Sequence, residues 1–341
     1  MPTGLDIENS DSLRQWLYEC GHAPRNRTFT IRNLAGGVSN RTVLVEFSDG
    51  SGWVLKQALA KLRVAVDWFS DPVRIEREAL GMRALARLAP PGAITALIFE
   101  DRQHHVLAMQ AVLQPHENLK TIFLSGRAEL GLAAQFGALL GEIHHKSWED
   151  REELERLFGD RAFFESLRLE PYYEYTAHQV PAAAKFLREL IAETRTRRLT
   201  LVHGDYSPKN VLVYQGKLVL LDHEVIHFGD PAFDLGFSLA HLLSKAHHLA
   251  SQRQAFAALT QTYWDSYWTA LGAAPWKNEI EAPAIRHTLG CLLARVRGRS
   301  MLEYLSDGER KRQCDAALSL VERPPQSVAR LIPAFIERLG S

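Results

Sequence analysis

Cysteine is scarce in this chain, with only Cys20, Cys291 and Cys314 among 341 residues. An odd, widely spaced set argues against a disulfide framework and fits a reducing compartment, here expected to be the cytoplasm. An excess of one charge is also missing, because 40 Lys+Arg stand against 40 Asp+Glu. That balance lacks the basic surplus of a nucleic-acid binder. With 46% apolar residues the chain is too hydrophobic to be a disordered one. No apolar run approaches the roughly 18 residues of a membrane span. The opening MPTGLDIENSDS has no basic start followed by an apolar stretch, so no secretory leader is expected. Repeats and low-complexity linkers are absent. There is no G-x-x-x-x-G-K-[ST] loop, no G-x-G-x-x-G after a strand and, despite 14 histidines, no H-E-x-x-H or Cys-His spacing. P-loop, Rossmann and zinc readings therefore lack support. What remains is an ordinary globular composition whose length suggests about two domains.

Residues 10–20 (SDSLRQWLYEC) read as a short helix. β-like runs follow at Thr28–Leu34, Arg41–Ser48 and Trp53–Gln57, the last two joined by Asp49-Gly50 and Gly52, a hairpin signal. PVRIEREALGMRALARL, from Pro72 to Leu88, has helical spacing, with Asp71 as the expected N-cap and Pro72 as its first residue. Two more strands are expected at Thr95–Glu100 and His105–Gln110. The order is β-β-β-α-β-β. After Pro115 the pattern turns helical: 130–145, a charged stretch over 149–198 broken at Pro171 and Pro181, then 232–250, 252–271, 281–306 and 308–321. A compact β patch, Thr200–Leu221, interrupts it. The expected fold is α+β, with a small five-stranded antiparallel lobe carrying one helix, residues 1–112, and a larger, mainly helical lobe, residues 113–341.

The strongest chemical signal is LVHGDYSPKNVLVYQGKLVLLDHE, residues 201–224, where apolar runs bracket polar residues at strand ends. An Asp, an Asn five residues later, and an Asp closing a strand match the needs of phosphoryl transfer. One carboxylate accepts the proton of the attacking hydroxyl, while an amide oxygen and a second carboxylate hold Mg²⁺. On this template Asp205 is the base, Asn210 and Asp222 are metal ligands, and Glu224 reaches a second metal. Hard oxygen donors of this kind suit Mg²⁺. Lys56, in the strand WVLKQ, is costly to bury unless paired. Glu76 and Glu78 on the next helix are about 200° apart, so one of them can face it, and Glu78 lies beside the apolar stripe. The Gly36-Gly37-Val38-Ser39 turn can close over phosphates with backbone N–H groups.

HGDYSPKN, LLDHE and GDPAFDLGFSLAHLL together resemble the aminoglycoside phosphotransferase and choline kinase superfamily of small-molecule kinases. The resemblance covers roughly residues 28–306 and implies a bilobal, protein-kinase-like fold. VLKQALAKLRVAVDWFSDPVRIEREAL is similar in particular to the methylthioribose kinases. The chain departs from them at Asn210, where they carry a serine-type residue, and at Asp222-His223-Glu224, where they carry D-P-E. By resemblance, Asp205 is catalytic, Asn210 and Asp222 bind Mg²⁺, and Lys56 holds the ATP phosphates. The Met109–Val112 segment, with Gln110 and Val112, is then the hinge that grips adenine. Asp230 is expected to cap a helix, Asp234 to brace the catalytic loop, and His203 to orient it.

The implied reaction is phosphorylation of a hydroxyl on a small metabolite, most simply a sugar or sugar derivative. An antibiotic kinase and a catalytically inactive nucleotide-binding scaffold are the alternatives. From Arg286 onward ten Lys+Arg face six Asp+Glu, and Arg295 and Arg299 form part of an arginine cluster suited to carboxylate or phosphate recognition. Arg168 and Tyr172, in FFESLRLEPYYEYTAH, are further candidates for acceptor contact. No motif fixes the oligomeric state, which leaves monomer and homodimer open.

Overall fold

The computed structural model describes residues 4–34, 38–63 and 67–340. Helix α1 (Ser10–Glu19) precedes three strands, β1 (Phe29–Asn33), β2 (Asn40–Phe47) and β3 (Gly52–Ala58). Helix α2 (Arg74–Leu88) then crosses to β4 (Leu97–Asp101) and β5 (Val106–Gln110). The five strands form one antiparallel sheet in the order β1-β2-β3-β5-β4. The expected order and sheet are both present. Lys56 sits mid-strand, opposite Thr42 on β2 and Leu107 on β5.

Two details differ from the sequence reading. Helix α2 begins at Arg74, not Pro72, because the Asp71 carboxylate accepts the Val73 N–H at 3.0 Å and closes a tight turn first. Pro171 does not break its segment. It lies inside a π-helical stretch, Glu165–Glu174, where the wider turn tolerates a residue without an N–H.

Beyond Gln110 the chain is mainly helical. Helix α3 (Leu130–Glu149) packs on α5 and α6, which follow α4 (Ala184–Thr196) and span Pro231–His248 and Arg253–Ala270. They share one large core with α7 (Glu281–Arg297), α8 (Asp307–Val321) and α9 (Val328–Arg338). Helix α7 stops nine residues before the expected end, at Gly298, whose extended backbone releases Arg299, Ser300 and Met301 into a cavity wall. Asp230 caps α5 as expected, accepting the Ala232 N–H at 3.0 Å, with Pro231 at the first position.

The β patch within this helical region carries the chemistry. Strands β6 (His116–Asn118), β8 (Val211–Tyr214) and β9 (Lys217–Leu220) form one small sheet, and β7 (Thr200–Val202) pairs with β10 (His227–Gly229) in another. Both loops of interest, 203–210 and 221–226, leave these strands side by side. Among the described residues the three cysteines are unpaired, and no helix is long and apolar enough to cross a membrane.

Candidate active site

The loop after β7 turns at Gly204, whose φ of +77° is a conformation L side chains rarely adopt. Buried Asp234 on α5 holds that turn, accepting the His203 N–H at 2.7 Å and the Gly204 N–H at 2.8 Å. His203 adds a second tie. One ring nitrogen meets the Asp205 N–H at 3.2 Å and the other the Leu221 carbonyl at 3.1 Å. Burial pushes the His203 pKa down, so the ring works neutral. The bracing expected of Asp234 and His203 is thus visible as hydrogen bonds.

Asp205 is fixed with one oxygen occupied and one open. Its Oδ2 accepts from the Asn210 amide at 2.8 Å and from the Arg168 guanidinium at 2.9 Å. Among the described residues nothing donates to Oδ1, and Asp205 lines the cavity. Asn210 spends its NH₂ on the Asp205 side chain and carbonyl (3.0 Å), which leaves its amide oxygen as a free hard donor. Arg168 also donates to the Gly204 carbonyl at 2.8 Å and to that of Leu167. Burial works against its charge, but Asp205, first among its acidic neighbours, holds its pKa above the usual arginine value. The expected acceptor contact is therefore largely a brace for Asp205.

Lys56 reaches two carboxylates at once, Glu78 Oε1 and Asp222 Oδ1, each at 2.6 Å. Glu76, the residue passed over, instead pairs with Arg102. Burial opposes the Lys56 charge, yet Asp222, Glu78 and Glu224 outweigh it and raise its pKa. Lys56 keeps Asp222 well below the usual carboxylate range against the effect of burial. Glu78, fully buried, is pushed up by desolvation, and Lys56 offsets this only in part. Asp222 adopts φ +69°, a strained backbone that turns its side chain toward Lys56.

Glu224 completes the group. Its Oε2 accepts from Asn40 and from the fully buried Arg74, each at 3.2 Å. Arg74 also donates to the Leu59 and Ser39 carbonyls, so it ties the 38–40 segment to the Asp222–Glu224 loop. Ligand oxygens of Glu78, Asp222 and Glu224 lie within 4.8 Å of one another, and Glu78 Oε2 is buried without a donor. Three carboxylates against Lys56 and Arg74 still leave one negative charge over, and with the free Asn210 oxygen the donor set fits a hard divalent cation. Sequence reasoning missed Arg74 and Asn40. The only hint was an arginine at the start of α2 facing the apolar stripe.

Two clefts meet at Lys56, Thr42 and Leu221. One, of about 710 Å³, runs under the sheet and is walled by Leu44, Val54, Met109 and Leu212, with Gln110 and Val112 at its edge. Among the described residues the Val112 N–H and C=O make no hydrogen bond. The other, of about 440 Å³, gathers Ser39, Asp205, Asn210, Asp222 and Glu224 with Arg168, Tyr172, Arg295 and Arg299. Every expected site residue among those described lines one of the two clefts, except Glu78, which touches them through Lys56. Gly36 and Gly37 lie outside the described residues.

Fold and site together define a two-lobed enzyme with a nucleotide-sized cleft opening onto a carboxylate-rich centre. The sequence profile of the phosphotransferase enzyme family matches residues 30–270, and the chain belongs to that family. This is the class of small-molecule kinases that the sequence led us to expect. The chain is 25% identical over 293 residues to methylthioribose kinase from Bacillus velezensis, covering 77% of this chain and 72% of that one. It is 26% identical to methylthioribose kinase 2 from Oryza sativa, over 63% and 56% of the two chains. Solved structures share the fold. A macrolide 2'-phosphotransferase from Brachybacterium faecium aligns with a TM-score of 0.52 at 18% identity, over 93% of this chain and 99% of that one. An amicoumacin kinase, solved with AMP-PNP, Ca²⁺ and Ami, aligns with a TM-score of 0.53 at 13% identity, over 92% and 95%.

Proposed function

We propose that this enzyme transfers the γ-phosphoryl group of ATP, as its Mg²⁺ complex, to a hydroxyl of a small sugar-like metabolite. The observation that carries the reading is the Asp205 carboxylate, with Oδ2 clamped by Asn210 and Arg168 and Oδ1 left open to the cavity. On this reading residues 1–112 form the nucleotide lobe and 113–341 the lobe with the catalytic loop and acceptor site. The Gln110–Val112 edge takes the adenine, with Val112 supplying backbone groups. Lys56, steadied by Glu78, reaches the phosphates, and Gly36, Gly37 and Ser39 cover them. Asn210 and Asp222 are the metal ligands, with Glu224 in reserve for a second ion. Bound there, Mg²⁺ neutralises charge on the phosphate oxygens. The residues then have little covalent work. Asp205 Oδ1 orients the acceptor hydroxyl and takes its proton as oxygen bonds to phosphorus and ADP leaves. Positioning and fixed charge supply the rate. Three free cysteines agree with work in the cytoplasm.

The acceptor is best sought among pentoses, hexoses and their derivatives, methylthioribose included. A cavity of about 440 Å³ is at the small end of the 300–1,000 Å³ usual for ligand sites, which favours a monosaccharide over a macrolide. ADP formation across a sugar panel tests the proposal, with aminoglycosides and macrolides as the contrasting arm. Asp205→Asn should lower kcat on the order of 10²–10⁴ while Mg·AMP-PNP still binds by calorimetry. Near-wild-type turnover in that variant would remove Asp205 from its role.

A further inference from the structure

The acceptor cavity has a charge pattern that the phosphoryl-transfer chemistry does not require. Away from the metal ligands its charged lining is Arg168, Lys209, Arg295 and Arg299, and the one carboxylate there, Asp205, is already matched by Arg168. Arg295 is 92% buried by the fold, yet among the described residues no carboxylate lies within 4.0 Å of it. Its Nη1 is spent on neutral partners, the Tyr172 hydroxyl at 3.0 Å and Ser300 Oγ at 2.9 Å. A buried arginine normally has a counter-ion, because taking an unpaired charge out of water is strongly unfavourable.

His241, one helix away on α5, lacks a hydrogen-bond partner. It is 6% exposed, lines the cavity, and its Nε2 is buried with no partner. Burial lowers its pKa, and each charge that acts on it, from Arg295, Lys245, Lys120 and Lys209, is positive. Fully buried Lys245 lies beside it, donating to the His241 carbonyl at 3.2 Å. Desolvation, with Lys120 and Arg295 close by, brings Lys245 down to about 7. Glu303 is the one acid among these groups, and Lys120 holds it. Burial and the neighbouring cations thus suppress the charge of His241 and Lys245, and Arg295 is left as the charge for which the fold supplies no counter-ion.

The position is informative too. The Arg168 and Arg295 guanidiniums both lie against the Tyr172 ring, at 5.8 and 5.6 Å. Arg295 is therefore one aromatic ring from the residue that clamps Asp205, a separation a small molecule can bridge. We infer that the acceptor is a hydroxylated anion, whose carboxylate or phosphate group is held by Arg295 and His241 while a hydroxyl faces Asp205. The ligand's charge would supply the missing counter-ion and accept a hydrogen bond from His241 Nε2–H. The same lining repels polycationic aminoglycosides.

This inference rests on the kinase reading, so two measurements separate them. In the first, melting temperature is followed as sulfate or inorganic phosphate replaces chloride at matched ionic strength, with Mg·AMP-PNP saturating the nucleotide cleft. Wild-type protein should show a saturable rise. His241→Asn and Arg295→Lys should need about tenfold more anion or lose the rise, since one charge-assisted hydrogen bond is about a factor of ten. Should Arg295→Lys fold poorly, His241→Asn carries the comparison alone. Equal rises in wild type and His241→Asn overturn the anion site. In the second, ADP formation with glucuronate and glucose 6-phosphate is compared with glucose. A tenfold or larger kcat/KM advantage for either anion supports the inference, and the two arms tell carboxylate from phosphate. Preference for glucose overturns it. If neither these three nor the wider panel yields ADP, the kinase reading falls, while the sulfate titration still decides the anion site.

Discussion

Replacing Lys56 by methionine removes the one cation shared by Glu78 and Asp222. Both contacts are 2.6 Å, Glu78 is fully buried and Lys56 nearly so, so water cannot take over the role. Breaking such a pair from one side costs about 3–5 kcal/mol, because the partner charge is left uncompensated. The pH dependence has a definite sign. Burial already raises Glu78 above its ordinary 4.5, and removing the ammonium raises it further. A carboxyl with a raised folded pKa binds more protons folded than unfolded, so stability falls as pH rises towards that pKa. In Lys56→Met the decline should continue to higher pH than in the wild type, with a slope of up to about 1.4 kcal/mol per pH unit. Urea unfolding of both proteins from pH 6 to 9 measures this. Adding Glu78→Gln should recover part of the loss, because the orphaned charge goes with it. A penalty below about 1 kcal/mol that does not vary with pH would refute the buried-triangle reasoning. Turnover should also fall, on the order of 10²–10³, if Lys56 is the fixed donor to the phosphates that the proposed function makes it.

Two further substitutions probe the supports of the site. Arg74→Met should destabilise by about 3–5 kcal/mol by stranding Glu224, and Arg74→Lys should not restore the loss, because an ammonium cannot span Glu224 and two carbonyls as the guanidinium fork does; chemical denaturation reads both. Gly81→Val should displace the loop after β9, since a Cβ there would stand 2.8 Å from Ile226 Cγ2 and 3.1 Å from His223 Cβ. The cost should be about 1–3 kcal/mol, with a loss of turnover that Mg²⁺ titration shows as weaker metal dependence.

The parts legible in the sequence are those whose physics is local. Strand alternation, the hairpin turn at Asp49-Gly50 and the polar residues at strand ends in 201–224 each depend on neighbours a few positions away. They gave the order of strands and helix along the chain and the positions of Asp205, Asn210 and Asp222. Arg74 and Asn40 were not legible, because they meet Glu224 across 150 and 184 residues and leave no local pattern. Arg168 was found as a charge near the site, but its direction, toward Asp205 and the Gly204 carbonyl, depends on the π-helical turn around Pro171. A proline in a charged stretch reads as a break, and only tertiary packing makes it part of a wide turn. The early end of α7 is similar. Gly298 is one small residue in a long helical pattern, and what stops the helix is the cavity that Arg299 and Ser300 line.

The charges around the site are matched group by group, with one exception. The four carboxylates of the centre share three cations delivered by three elements: Arg168 from the π-helical turn for Asp205, Lys56 from β3 for Asp222 and Glu78 together, Arg74 from α2 for Glu224. Because these cations sit on separate elements, Asp205 and Glu224 are held apart from the Asp222–Glu78 pair that shares Lys56. That spacing leaves carboxylate oxygens free to act as hard donors. Beside Tyr172 one buried cation, Arg295, has no acid of its own, and the neighbouring His241 Nε2 has no partner. Protein interiors do not tolerate such a surplus without a compensating gain. On the proposed reading, an enzyme that brings a phosphorylated donor to one side of Asp205 gains that compensation from an anion received on the other.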